Sequence, residues 1–107
     1  MSYKEIDPTE AREVINRTDD LQLLDVREQH EFDQAHIEGV TLISLGKLSD
    51  RSDELDKSKP VLCICAGGIR SERAAKWLVE DGFEDVTNMS EGMNGWLARA
   101  FPHNKGS

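Results

Sequence analysis

No part of this chain constrains its fold more than Val61-Leu62-Cys63-Ile64-Cys65. With apolar side chains at every position it has no polar face to offer water, as in a central strand covered on both sides. Pro60 introduces the run and Ala66-Gly67-Gly68 stops it. From Ser71 to about Asp81 the pattern turns helical, with Ser71 expected as N-cap, Ala74, Ala75 and Leu78 on one face, and Gly82 placed to end it. A doubly covered strand feeding a helix through a glycine turn is the unit from which parallel α/β sheets are built.

The rest of the chain repeats that alternation. Asp7-Pro8-Thr9-Glu10 reads as a helix start, with Asp7 as N-cap and Pro8 in the first helical position, leading into a helix to about Asn16. Leu21 to Val26 is a short apolar run that ends in charge, as a buried strand does where it emerges at a polar rim. A short helix over Glu28 to Ala35, a strand over Val40 to Ile43 and a surface helix over Leu45 to Leu55 follow. Val86-Thr87-Asn88 forms one more strand and Met93 to Ala100 a closing helix. The expected architecture is an α/β sandwich on a largely parallel sheet, one domain over residues 1–107, with the tail from His103 to Ser107 loose.

Charge and composition exclude several functions. The formal charge of -8, with 13 basic residues dispersed among 21 acidic ones, argues against binding nucleic acid. Met1-Ser2-Tyr3-Lys4-Glu5 has no apolar signal-peptide core, and no stretch is long and apolar enough to enter a bilayer, so a cytoplasmic location is expected. Cys63 and Cys65 would share a strand face yet stand too far apart to bridge, which fits a reducing compartment. His30, His36 and His103 fall at no familiar metal-ligand spacing. Gly67-Gly68 lacks the following Gly-Lys-Ser/Thr of a nucleotide loop.

Chemistry concentrates in Cys65-Ala66-Gly67-Gly68-Ile69-Arg70-Ser71. Ligands of open α/β sheets bind beyond the carboxyl ends of the strands, where Cys65 would be presented. Glycines let backbone N–H groups curl into a concave nest, and the first turn of the next helix adds unpaired donors. Such a setting favours a sulfur anion. Arg70 either adds positive charge at the loop mouth or braces the loop through a carboxylate. The spacing from Cys65 to Arg70 is one residue shorter than in the cysteine-phosphatase loop, too short a cradle for phosphate. Cys63 reads as a small buried hydrophobe. Asp25, Arg27, Glu31 and His36 could form an acid/base set, with His36 as a proton shuttle for the thiol, and Trp77 and Trp96 read as packing.

A Cys-x-x-Gly-x-Arg-Ser loop between strand and helix resembles the active-site loop of the rhodanese family. Leu24-Asp25-Val26-Arg27-Glu28, Glu31-Phe32 and His36-Ile37-Glu38-Gly39 are similar to a second family segment, which implies that Asp25, Arg27, Glu31 and His36 hydrogen-bond and ion-pair to fix the strand end and turn rather than act as an acid/base set. Gly82-Phe83 through Val86, then Glu91-Gly92 and Gly95-Trp96, are similar to its C-terminal signature, so the likeness runs from about Leu23 to Leu97. The resemblance implies a rhodanese-like three-layer α/β/α sandwich with a central mostly parallel sheet. It also implies a single-domain sulfurtransferase without metal or organic cofactor, and a monomer is expected. Cys65 would take a sulfane sulfur from thiosulfate or a persulfide and pass it to a thiol or cyanide-type acceptor. Backbone N–H groups of Ala66, Gly67, Gly68, Ile69, Arg70 and Ser71 would surround the bound sulfur. Ala66 and Gly67 stand where many thiosulfate-using relatives carry basic residues, which favours a glutathione-type or protein persulfide as donor. The alternatives are a non-catalytic or redox-sensing binding module of the same fold and, further off, a cysteine phosphatase or arsenate reductase.

Overall fold

The computed structural model describes residues 2–106. In chain order its elements are β1 (Lys4–Ile6), α1 (Pro8–Arg17), β2 (Gln22–Asp25), α2 (Gln29–Gln34), β3 (Thr41–Leu42), α3 (Leu48–Arg51), β4 (Val61–Ile64), α4 (Ile69–Glu80), β5 (Val86–Met89) and α5 (Gly92–Ala98). The strands form one all-parallel sheet in the order β1-β5-β4-β2-β3. The most apolar strand, β4, therefore lies at its centre.

Strand alternation divides the core into two layers. On one face Val61, Cys63 and Cys65 join Leu24, Val26, Leu48, Ala74, Ala75 and Leu78, under α3 and α4. On the other, Leu62 and Ile64 join Ala11, Met89, Met93 and Trp96, under α1 and α5. Leu62 and Ile64 are fully buried, each worth about 1.5–3 kcal/mol of transfer free energy. Helices on both faces of a parallel sheet make the expected three-layer sandwich. None of the described helices is long and apolar enough to cross a membrane.

Four local expectations change. β1 is not among the expected strands: it lacks any apolar periodicity, and its first two residues, Lys4 and Glu5, are exposed; it exists because β5 offers an unpaired edge, so its signal is tertiary. The Leu45-to-Leu55 segment is not one helix but the single turn α3 between two 3-10 turns, Leu45–Lys47 and Ser52–Glu54. Gly46, Ser49, Ser52 and two aspartates interrupt it, side chains that favour turns over helix interiors. Helix α4 begins earlier than expected, with Gly68 rather than Ser71 as its N-cap. Nor does the tail hang free: His36 and Asn104 exchange backbone hydrogen bonds of 2.9 and 2.8 Å, and the Gly106 N–H donates to Asp33 O at 2.7 Å. Ser107 lies outside the described residues.

Candidate active site

Strand β4 ends at Ile64, and Cys65 follows at the carboxyl edge of the sheet, between the ends of β2 and β5. The residue is 1% exposed, whereas Gly67 and Ile69 of the same loop are open to solvent. Its sulfur faces donors. The Gly68 N–H points at Cys65 Sγ over 3.1 Å, and the Ser71 hydroxyl lies 3.2 Å from the same atom. Ser71 reads in sequence as the helix cap; because the helix starts at Ile69, its buried side chain is free to turn back onto the sulfur instead.

Gly68 makes this turn possible. Its φ of +97° lies in the left-handed region, and a Cβ there would stand 3.2 Å from Glu91 N and 3.5 Å from Met89 O. The segment after β5 thus presses against the loop from behind. Gly92 comes closer still, leaving no room for a side chain against the Cys65 and Ala66 carbonyls. Over that contact Met93 N donates to Cys65 O at 2.8 Å and Asn94 N to Ala66 O at 2.9 Å. With both carbonyls drawn toward α5, the loop turns the Gly68 N–H toward the sulfur.

Arg70 forms a two-pronged ion pair with Glu31, Nη1 to Oε1 and Nη2 to Oε2, both 2.7 Å. Glu31 also accepts the Glu28 N–H at 3.0 Å. Arg70's fork, helped by that N–H and by the charges of Arg70 and Arg27, holds the Glu31 carboxyl down at about 2 against the opposing effect of partial burial. Of the two roles open to Arg70, the geometry supplies the brace. Behind Glu31 stands a buried pair: Arg27 donates Nε and Nη2 to the Asp25 carboxylate at 3.0 and 2.8 Å, Nη2 also to Ala35 O at 2.7 Å, and Nη1 to Glu31 O at 3.2 Å. Asp25 and Arg27 are 0% and 4% exposed. His36 stacks on Phe32 with ring centroids 3.8 Å apart and engages Phe32 O through Nδ1 at 2.8 Å. These side chains hold the strand ends and the α2 turn.

Cys63 lies within the apolar layer, and its burial, together with the neighbouring Cys65, pushes its thiol far above the usual range. It stays a thiol. Among the described residues no group of His, Cys, Asp or Glu side chains is arranged to hold a metal ion. The loop residues are thus disposed as follows: Gly68 and Ser71 on the sulfur, Arg70 on Glu31, Ala66 tied by its carbonyl to α5, and Gly67 and Ile69 at the solvent rim. Gly92, Glu31 as partner of Arg70, and Asn88 complete the surroundings. Gly92 stood in a motif, but its backbone contact with Cys65 has no sequence signature.

The sequence profile of the rhodanese-like domain family matches residues 7–99. The chain is 39% identical over 98 residues to the thiosulfate sulfurtransferase GlpE of Coxiella burnetii, covering 92% of this chain and 91% of that one. Among solved structures it is similar to a rhodanese-related protein of Thermoplasma volcanium, with a TM-score of 0.87 and 26% identity over 95% of this chain and 98% of that one. A rhodanese-like domain protein from Staphylococcus aureus matches with a TM-score of 0.81 and 28% identity, covering 87% and 90% of the two chains.

Proposed function

The chain belongs to the rhodanese-like domain family, and from that premise we propose that it is a sulfurtransferase carrying sulfane sulfur as a persulfide on Cys65. The observation that carries the reading is the pair of donors, Gly68 N–H and Ser71 O–H, converging on a cysteine sulfur at the end of the central strand. Toward the anionic sulfur of the reaction such contacts would be charge-assisted, the strong class of hydrogen bond, more so in a site shielded from water.

Two displacements suffice. The Cys65 thiolate attacks the outer sulfur of the donor; a new S–S bond forms as the donor's own S–S bond breaks, releasing sulfite from thiosulfate or a thiolate from a persulfide. Cys65 then bears a persulfide anion. An acceptor thiolate, or cyanide, attacks the outer sulfur, forms a bond to it and leaves the Cys65 thiolate behind. No external oxidant or reductant is needed, and no group beyond donor and acceptor takes part. In this scheme the N–H groups of residues 66–71 hold the negative terminal sulfur, and Cys63 takes no part.

The donor follows from charge. Arg70 spends both terminal nitrogens on Glu31, and Ala66 and Gly67 bring no charge, so the loop offers neutral donors alone to an arriving sulfur. That suits a persulfide, from glutathione or from a protein, whose reacting group carries a single charge, better than thiosulfate, which concentrates two charges on one small group. Steady-state sulfur transfer to cyanide or dithiothreitol tests the reading: turnover is expected in wild type and Cys63→Ser and absent in Cys65→Ser. Turnover surviving in Cys65→Ser would overturn it.

A further inference from the structure

Asn88 occupies the third position of β5, 1% exposed, opposite Cys63 in the sheet register. Its Nδ2 donates to Glu5 Oε2 at 2.9 Å and to the Gly68 carbonyl at 3.2 Å. Both neighbours can only accept, so the amide must present its nitrogen to them. The consequence is that Asn88 Oδ1, among the described residues, is buried without any donor. A side chain kept for stability alone would not be expected to leave a buried oxygen unpaired, since an apolar residue of the same size would avoid the loss.

What the nitrogen holds is the residue that serves the sulfur. Gly68 reaches from Asn88 on one side, through its carbonyl, to Cys65 Sγ on the other, through its N–H. The same carbonyl accepts the Glu72 N–H at 3.2 Å in the first turn of α4, so Asn88 and the helix fix it together. Glu5, on the edge strand β1, in turn anchors the Asn88 amide. We infer that Asn88 is a positioning residue of the sulfur site, aiming the Gly68 N–H at Cys65 by holding the Gly68 carbonyl from behind, with Glu5 steadying it. The inference rests on the Cys65 reading above and adds to it a residue that touches neither donor nor acceptor.

The near-isosteric Asn88→Leu separates positioning from structure. It removes the donated bonds and the unpaired oxygen together, while Gly68 O keeps its helix bond and the exposed Glu5 returns to water. The measurement is the pH profile of Cys65 alkylation by iodoacetamide, followed by intact mass, beside the thermal midpoint. In Asn88→Leu the profile is expected to move to higher pH, with reactivity at neutral pH lower by roughly fivefold, the scale of one weakened hydrogen bond to a charged sulfur, and the melting temperature no lower than wild type. At the exposed Glu5, Glu5→Ala gives the same displacement in smaller measure, which keeps the test open should Asn88→Leu not fold, and Glu5→Gln, retaining an acceptor oxygen, restores the wild-type profile. An unmoved profile in both Asn88→Leu and Glu5→Ala overturns the inference. Its failure is distinguishable from failure of the Cys65 reading, because in the latter case thiosulfate and glutathione persulfide leave no sulfur on Cys65 even in wild type.

Discussion

Gly68 donates its backbone N–H to Cys65 Sγ across 3.1 Å, and this one contact joins the central strand, the loop and the start of α4 into a single device. It depends on a left-handed glycine packed against the segment after β5, and on Asn88 behind it. The second donor, Ser71, comes from the first turn of the same helix.

Ser71→Ala removes that hydroxyl and little volume. Persulfide formation on Cys65 should slow by roughly fivefold, the rate equivalent of about 1 kcal/mol for one hydrogen bond, with the fold intact by circular dichroism. Rapid-quench mass spectrometry with glutathione persulfide measures it; an unchanged loading rate would show that the hydroxyl does not act on the reacting sulfur.

Arg70 and Glu31 should behave as one unit. Arg70→Ala and Glu31→Gln are each expected to slow sulfur transfer to a similar extent, and the double variant no further than either alone, because both remove the same brace. Arg70→Lys restores little, since an ammonium cannot reproduce the two-pronged geometry. Should Arg70→Ala raise the KM for donor while Glu31→Gln leaves it unchanged, the arginine contacts substrate instead.

The same pair sets an acid limit. Glu31 is held at about 2 in the folded protein against an ordinary 4.5, so its contribution is complete above the ordinary value and is lost as pH falls from there toward the folded one. For a partly exposed pair that contribution is about 0.2–1 kcal/mol. Urea midpoints of wild type and Glu31→Gln should therefore differ at neutral pH and converge as pH approaches about 2. A constant difference across that range would mean that Glu31 stabilises by something other than its charge.

Gly92→Ala should be among the most damaging small substitutions in the chain. The added methyl meets the Cys65 and Ala66 carbonyls at a backbone φ of +55°, so α5 must retreat and the Met93 and Asn94 N–H bonds to the loop weaken. Strain and lost bonds together should cost about 2–4 kcal/mol, read as a lower urea midpoint, with slower loading of Cys65. Wild-type stability in this variant would show that the close approach is not rigid.

Much of this was legible in sequence because it rests on local physics. The uniform apolarity of Val61 to Cys65 marks a doubly covered strand, and Asp7, Pro8 and Gly82 bound helices by cap chemistry that operates within a few residues. The glycine turn from Cys65 into α4 could be read for the same reason. What escaped depends on partners distant in the chain. Strand β1 forms only because β5 lies beside it, Asn88 looks like an ordinary polar residue of a short strand until Gly68 and Glu5 are placed around it, and Ser71 looks like a cap until Gly68 takes that position. The tail reads as loose because nothing in His103-Asn104-Lys105-Gly106 announces the backbone bonds offered by His36 and Asp33.

The central claim, that sulfur rides on Cys65, is tested most directly by weighing the intact protein after exposure to glutathione persulfide or thiosulfate. A gain of one sulfur atom, removed by dithiothreitol, is expected in wild type and in Cys63→Ser, faster with glutathione persulfide than with thiosulfate, and absent in Cys65→Ser. Sulfur that still loads when Cys65 is replaced, or that disappears when only Cys63 is replaced, would contradict the account.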